Sequence, residues 1–78
     1  MRSEDDIKPF LQAFGQRIKD LRNREKMTQL DLASSTDMDT RQIQRIEAGK
    51  VNTSVGNAYA IATALGVSVP TLFEFEVG

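Results

Sequence analysis

The sequence predicts an all-α fold, five short helices in one small domain, with a helix-turn-helix formed by the second and third. Apolar residues recur at spacings of three and four in separate stretches, the period of a half-buried helix. Ser, Thr or Asp stands before a helical pattern at four places, at the position where a side-chain oxygen caps a helix. Seventy-eight residues with a hydrophobic share of 40% suffice for a single core.

Residues 1–6 are polar and acidic with nothing to pack, and read as a disordered tail; residues 7–75 form the domain, and 76–78 a C-terminal tail. Ile7, Phe10, Leu11, Phe14, Ile18 and Leu21 mark an amphipathic first helix ending near Arg24 or Glu25, with Pro9 in its opening turn. Lys26, Met27 and Thr28 connect it to the next, Met27 turned inward. Thr28 with Asp31, and Asp39 with Gln42, have capping-box spacing. The second helix then runs from about Gln29 to Ser35 with Leu32 and Ala33 inward, and the third from about Thr40 to Ala48. Between them lies a turn through Thr36, Asp37 and Met38, and Gly49 closes the third helix in the left-handed conformation.

Ser54 or Thr53 caps a fourth helix reaching about Leu65, with Val55, Tyr59, Ala62 and Leu65 as its inner stripe and Gly66 at its end. Ser68 caps a last short helix with Pro70 in its first turn, and Leu72 and Phe73 close the core. Beyond it, apolar and acidic residues alternate from Phe73 to Val77. Within one subunit Phe75 and Val77 have no evident partner, which suggests either a twofold homodimer interface or a frayed end.

The third helix has two unlike sides. At ~100° per residue, Ile43, Ile46 and Glu47 share one face, while Arg41, Arg45 and Ala48 fall opposite, flanked by Gln42 and Gln44. Two guanidinium forks four residues apart, with Thr40 at the helix start and Gln44 beside them, suit hydrogen bonding to base edges in a DNA major groove. Periodicity alone is equally compatible with a solvated polar face.

The run from Thr28 to Gly49 resembles the DNA-binding domains of phage repressors, Cro proteins and XRE-type bacterial regulators. The shared residues are Thr28-Gln29, Leu32-Ala33, Ile43, Ile46-Glu47 and Gly49-Lys50. Similarity extends upstream to Gly15, Arg17, Ile18, Leu21 and Arg22, and downstream to Ile61-Ala62, Ala64 to Ser68 and Leu72-Phe73. It implies a lambda-repressor-like five-helix bundle that binds double-stranded DNA. Base contacts would come from Thr40, Arg41, Gln44 and Arg45, and phosphate contacts from Gln29, Lys50 and Asn52. It also implies that Arg22 pairs with Glu47, a carboxylate on the inward side of the third helix that would be costly without a cation. Two positions depart from the pattern: Asp37 stands where many members have Gly, and Thr53 where proline is common.

The formal charge of -1 is low for a nucleic-acid binder. Of ten cationic residues, however, only Arg2 lies outside residues 7–73, against five of eleven acids, leaving that segment nine to six, or +3. Cysteine and histidine are absent. No metal, cofactor or small-molecule ligand is therefore expected, and the cysteine-free chain suits a reducing cytoplasm. No stretch has the length of a membrane span, and no nucleophile–base set or phosphate-cradling loop points to an enzyme. The function expected is a sequence-specific transcriptional regulator binding a palindromic operator as a homodimer; restriction–modification controller proteins are similar small domains. The alternative is a protein-interaction module of antitoxin-like type on the same fold.

Overall fold

A computed structural model describes residues 4–77, with side chains from Asp6 onward. Five helices follow in order: α1 Glu4–Arg24, α2 Gln29–Thr36, α3 Thr40–Glu47, α4 Val55–Leu65 and α5 Val69–Leu72. Helix α1 begins three residues before Ile7, so residues 4–6 of the expected tail are helical and residues 1–3 lie outside the described part. Asp6 thereby falls in the first turn, where the positive end of the helix dipole favours a carboxylate. Pro9 sits in the second turn instead of the first, at the cost of the amide that would have bonded the carbonyl of residue 5.

Each helix boundary has a local cause. Thr28 and Asp31 form the reciprocal capping box, Thr28 Oγ1 accepting from the Asp31 amide at 3.0 Å and Asp31 Oδ2 accepting from the Thr28 amide at 2.9 Å. These bonds hold the Asp31 carboxyl below the usual carboxylate range. At α3 the expected second box is half made. The Asp39 carboxylate caps the Arg41 amide at 2.9 Å, and Gln42 donates only its backbone N–H to the Asp39 carbonyl. Ser54, not Thr53, caps α4.

Four helices end in the same way. At Lys26, Asp37, Gly49 and Gly66 the chain turns left-handed, with φ of 57°, 58°, 72° and 72°. In each case the following amide reaches back five residues: Met27 to Arg22, Met38 to Ala33, Lys50 to Arg45 and Val67 to Ala62. This is the Schellman arrangement, which satisfies carbonyls that the helix leaves open. Two of the four positions are not glycine.

The core is one cluster of Phe14, Ile18 and Leu21 from α1, Leu32 and Ala33 from α2, Ile43 and Ile46 from α3, Ala58, Ile61, Ala62 and Leu65 from α4, and Leu72. The stripe of α4 is rotated from the expected one. Ala58, Ile61, Ala62 and Leu65 are buried and share one three-and-four period. Val55 and Tyr59 are left on the outside, 86% and 65% exposed.

The carboxyl end also differs. Leu72 fills the core position of the one-turn α5, so Phe73, next along the helix, is carried to the rim. The chain then folds back through a Phe75 N–H to Phe73 carbonyl bond of 3.0 Å. Phe75 is thus packed within its own subunit, its ring centroid 5.3 Å from Phe10 and 6.5 Å from Phe14. Phe73 stacks on Phe14 at 4.9 Å. Val77 remains exposed.

Candidate nucleic-acid interface

The third helix is held from behind by its inner face. Ile43 and Ile46 are sunk in the core, and Glu47, 8% exposed, meets the equally buried Arg22. Arg22 Nε donates to Glu47 Oε2 at 2.7 Å and Nη2 to Oε1 at 3.0 Å, a two-pronged fork. The remaining arm, Nη1, donates to the Met27 carbonyl at 2.8 Å, which ties the α1–α2 connection into the same network. The hydrogen bond to Glu47 holds the Arg22 guanidinium above its already high range, outweighing the opposing effect of burial. Among the described residues, no buried side-chain polar atom lacks a partner. Three guanidinium N–H groups of Arg22 are spent inside the protein.

Gln29 belongs to this network. At the start of α2, half-buried, it donates Nε2 to Glu47 Oε1 at 3.0 Å. One N–H of its amide is therefore committed, and the carboxylate that anchors α3 also fixes the direction of the Gln29 side chain. Arg17 likewise serves the fold, donating Nε to the Thr71 carbonyl at 3.0 Å and lying 3.5 Å from Glu74.

The opposite face of α3 is free. Arg41, Gln44 and Arg45 are exposed, Thr40 is half-buried at the helix start, and neither arginine makes an ion pair among the described residues. Arg41 and Arg45 share a shallow depression with Asn52, Thr53 and Asn57, and Asp39 lies at its edge. Asn57 donates to Thr53 Oγ1 at 3.0 Å, bracing the loop that presents Asn52 and Lys50, both exposed. Neither Thr53 nor Asn57 carries a signal in the sequence as part of this surface; Asn57 reads there only as a weak helix former. The structure thus brings Arg41, Arg45 and Asn52 to one depression and Lys50 and Asn52 to the next, leaves Gln44 exposed and Thr40 half-buried on α3, and ties Gln29 to Glu47 on the inner face of the same helix. Phe75 is not among the exposed groups.

Helix α3 thus carries two guanidinium forks on its outer face and follows α2 across a left-handed turn, and the chain matches the family model described as helix-turn-helix over residues 18–72. The chain belongs to that family. It is a DNA-binding helix-turn-helix domain of the XRE type. It is 36% identical over 62 residues to the immunity repressor protein of Bacillus phage phi105, covering 80% of this chain and 43% of the repressor. The chain thus spans less than half the length of that curated relative. It is also similar to the restriction–modification controller protein C.AhdI from Aeromonas hydrophila. With that crystal structure the TM-score is 0.81 at 34% identity, covering 82% of this chain and 97% of the other. No helix among the described residues is long and apolar enough to cross a membrane.

Proposed function

We propose that this helix-turn-helix protein is a sequence-specific transcriptional regulator that places α3 in the DNA major groove. The observation that carries the reading is the division of α3: one face clamped by the Arg22–Glu47 fork, the other presenting Arg41 and Arg45 unpaired. Arg41 and Arg45 would hydrogen-bond the O6 and N7 acceptors of guanine, with Thr40 and Gln44 adding contacts to neighbouring bases. Lys50 and Asn52, with the uncommitted amide hydrogen of Gln29 at the start of α2, would hold phosphates and fix register. The relatedness to a phage immunity repressor and to a restriction–modification controller supports a role in gene control. Such a protein works where the chromosome is, in the cytoplasm.

Binding as a homodimer to a palindromic site fits the modest charge of one domain, since two copies double the phosphate contacts and half-sites about 34 to 36 Å apart match one helical turn. With Phe75 packed internally, the exposed large apolar side chains open to a twofold contact are Phe10, Val55 and Phe73, which line one depression, together with Leu30, Tyr59 and Val77. Selection from a random duplex pool tests the function. Recovery of one inverted-repeat sequence supports it, and recovery of no preferred sequence refutes it. Sedimentation at tens of micromolar, alone and with the selected duplex, distinguishes a dimer formed in solution from one assembled on DNA, and two independent monomers on DNA would remove the dimer.

A further inference from the structure

The first two turns of α1 precede the residues that match the family model, yet they are built against the end of the recognition helix. Ile7 and Leu11, half-buried, form one wall of a groove whose other side is Ala48, Gly49 and the loop after α3. Two close approaches fix this placement. A side-chain carbon at Gly15 would run into the carbonyls of Ile46 and Glu47, and one at Gly49 would come within 2.7 Å of Gln12 Cα. Backbone meets backbone at both points, so this part of α1 cannot shift without moving α3. Lys8 and Gln12 lie exposed on one side of the groove, and Lys50 and Asn52 lie exposed on the other. The lining holds two ammonium groups and no carboxylate.

We propose that Lys8 and Gln12 act with Lys50 and Asn52 as a two-sided clamp on the sugar–phosphate backbone of duplex DNA, so that α1 adds a contact outside the helix-turn-helix. The proposal rests on the DNA-binding reading above. A groove that opens beside the loop following the recognition helix faces the duplex whenever α3 is in the major groove. Ammonium groups on flexible stems are point charges that neutralise phosphate without reading sequence. Gln12 has an amide donor for a phosphate oxygen, and Gly49 keeps the floor of the groove clear.

The test measures affinity against salt for the wild-type protein, Lys8→Ala, Gln12→Glu and Lys50→Ala, on the selected duplex and on an unrelated duplex of equal length. Lys8→Ala should flatten the slope of log affinity against log salt by about 0.9 per protomer bound, as Lys50→Ala does. It should weaken both duplexes by the same factor and leave the melting temperature and base preference unchanged. Gln12→Glu, which puts a carboxylate into the groove, should weaken both duplexes as well. A wild-type slope for Lys8→Ala beside a flattened slope for Lys50→Ala would remove α1 from the interface and leave the DNA-binding reading standing. If the wild-type protein bound neither duplex in a salt-dependent way, both would fall.

Discussion

Gly15 and Ile46 meet backbone to backbone, the carbonyl of Ile46 occupying the space that a side chain at position 15 would need. Glycine inside a helix ordinarily costs about 1 kcal/mol relative to alanine, so Gly15→Ala would stabilise an exposed helix. Here the added carbon meets main chain that cannot move aside. The expected outcome is a net loss of about 1 to 3 kcal/mol, as for overpacked cores. A urea titration checks it: an unchanged or higher midpoint would mean that α1 and α3 have room to separate.

The Arg22–Glu47 fork should behave as a buried pair. Removing one member leaves an uncompensated charge, so Glu47→Ala and Arg22→Ala are each expected to cost about 3 to 5 kcal/mol, while the double replacement by Leu and Met should recover most of the loss. Because Glu47 also accepts from Gln29 and its partner donates to Met27, some of the deficit should remain. Thermal unfolding of the three variants settles the point, and a double replacement less stable than either single variant would mean the two side chains do not act as a pair.

Lys26 and Asp37 hold the same left-handed position that glycine holds at 49 and 66. A side chain there costs roughly 1 to 2 kcal/mol, partly offset by the greater unfolded-state freedom of glycine. Lys26→Gly and Asp37→Gly are therefore each expected to raise stability by about 0.5 to 1 kcal/mol. Equilibrium denaturation of both variants gives the answer, and a loss at either site would show that its side chain contributes more than strain.

On the DNA side, Arg41→Ala should cost about 1 to 3 kcal/mol on the selected duplex and relax preference at one base position. Its exposure means that folding stability should hardly change. Quantitative binding to a panel of single-base variants makes the comparison, and uniform weakening with preference intact would exclude a direct base contact by this side chain.

How much of this was legible beforehand varied by element. The capping residues Thr28 and Asp39 and the left-handed positions at Gly49 and Gly66 are local chemistry and stand where spacing places them, Ser54 is one of the two caps that spacing allowed, and the turn at Asp37 was legible only through the family position where glycine is common. Helix α3 was equally readable because it is strongly two-faced. The inner stripe of α4 was not, since two overlapping sets of apolar residues satisfy one helical period and only the packing of the whole bundle, which buries Ala58 and Ile61 and leaves Val55 and Tyr59 outside, chooses between them. Phe73 and Phe75 exchanged their expected places because a reversal after a one-turn helix cannot be seen in an alternating pattern. The engagement of Gln29 by Glu47, and the left-handed turn at Lys26, depend on contacts that no short-range signal reports.

The rings of Phe10, Phe14, Phe73 and Phe75 join the opening helix to residues near the other terminus. A nascent chain therefore leaves the ribosome with Phe10 and Phe14 uncovered, and they stay so until Phe73 and Phe75 have followed. Any product of premature termination before residue 73 would display two bare phenylalanines on a helix with no lid. That gives cellular proteases and chaperones exposed apolar surface by which to recognise truncated copies.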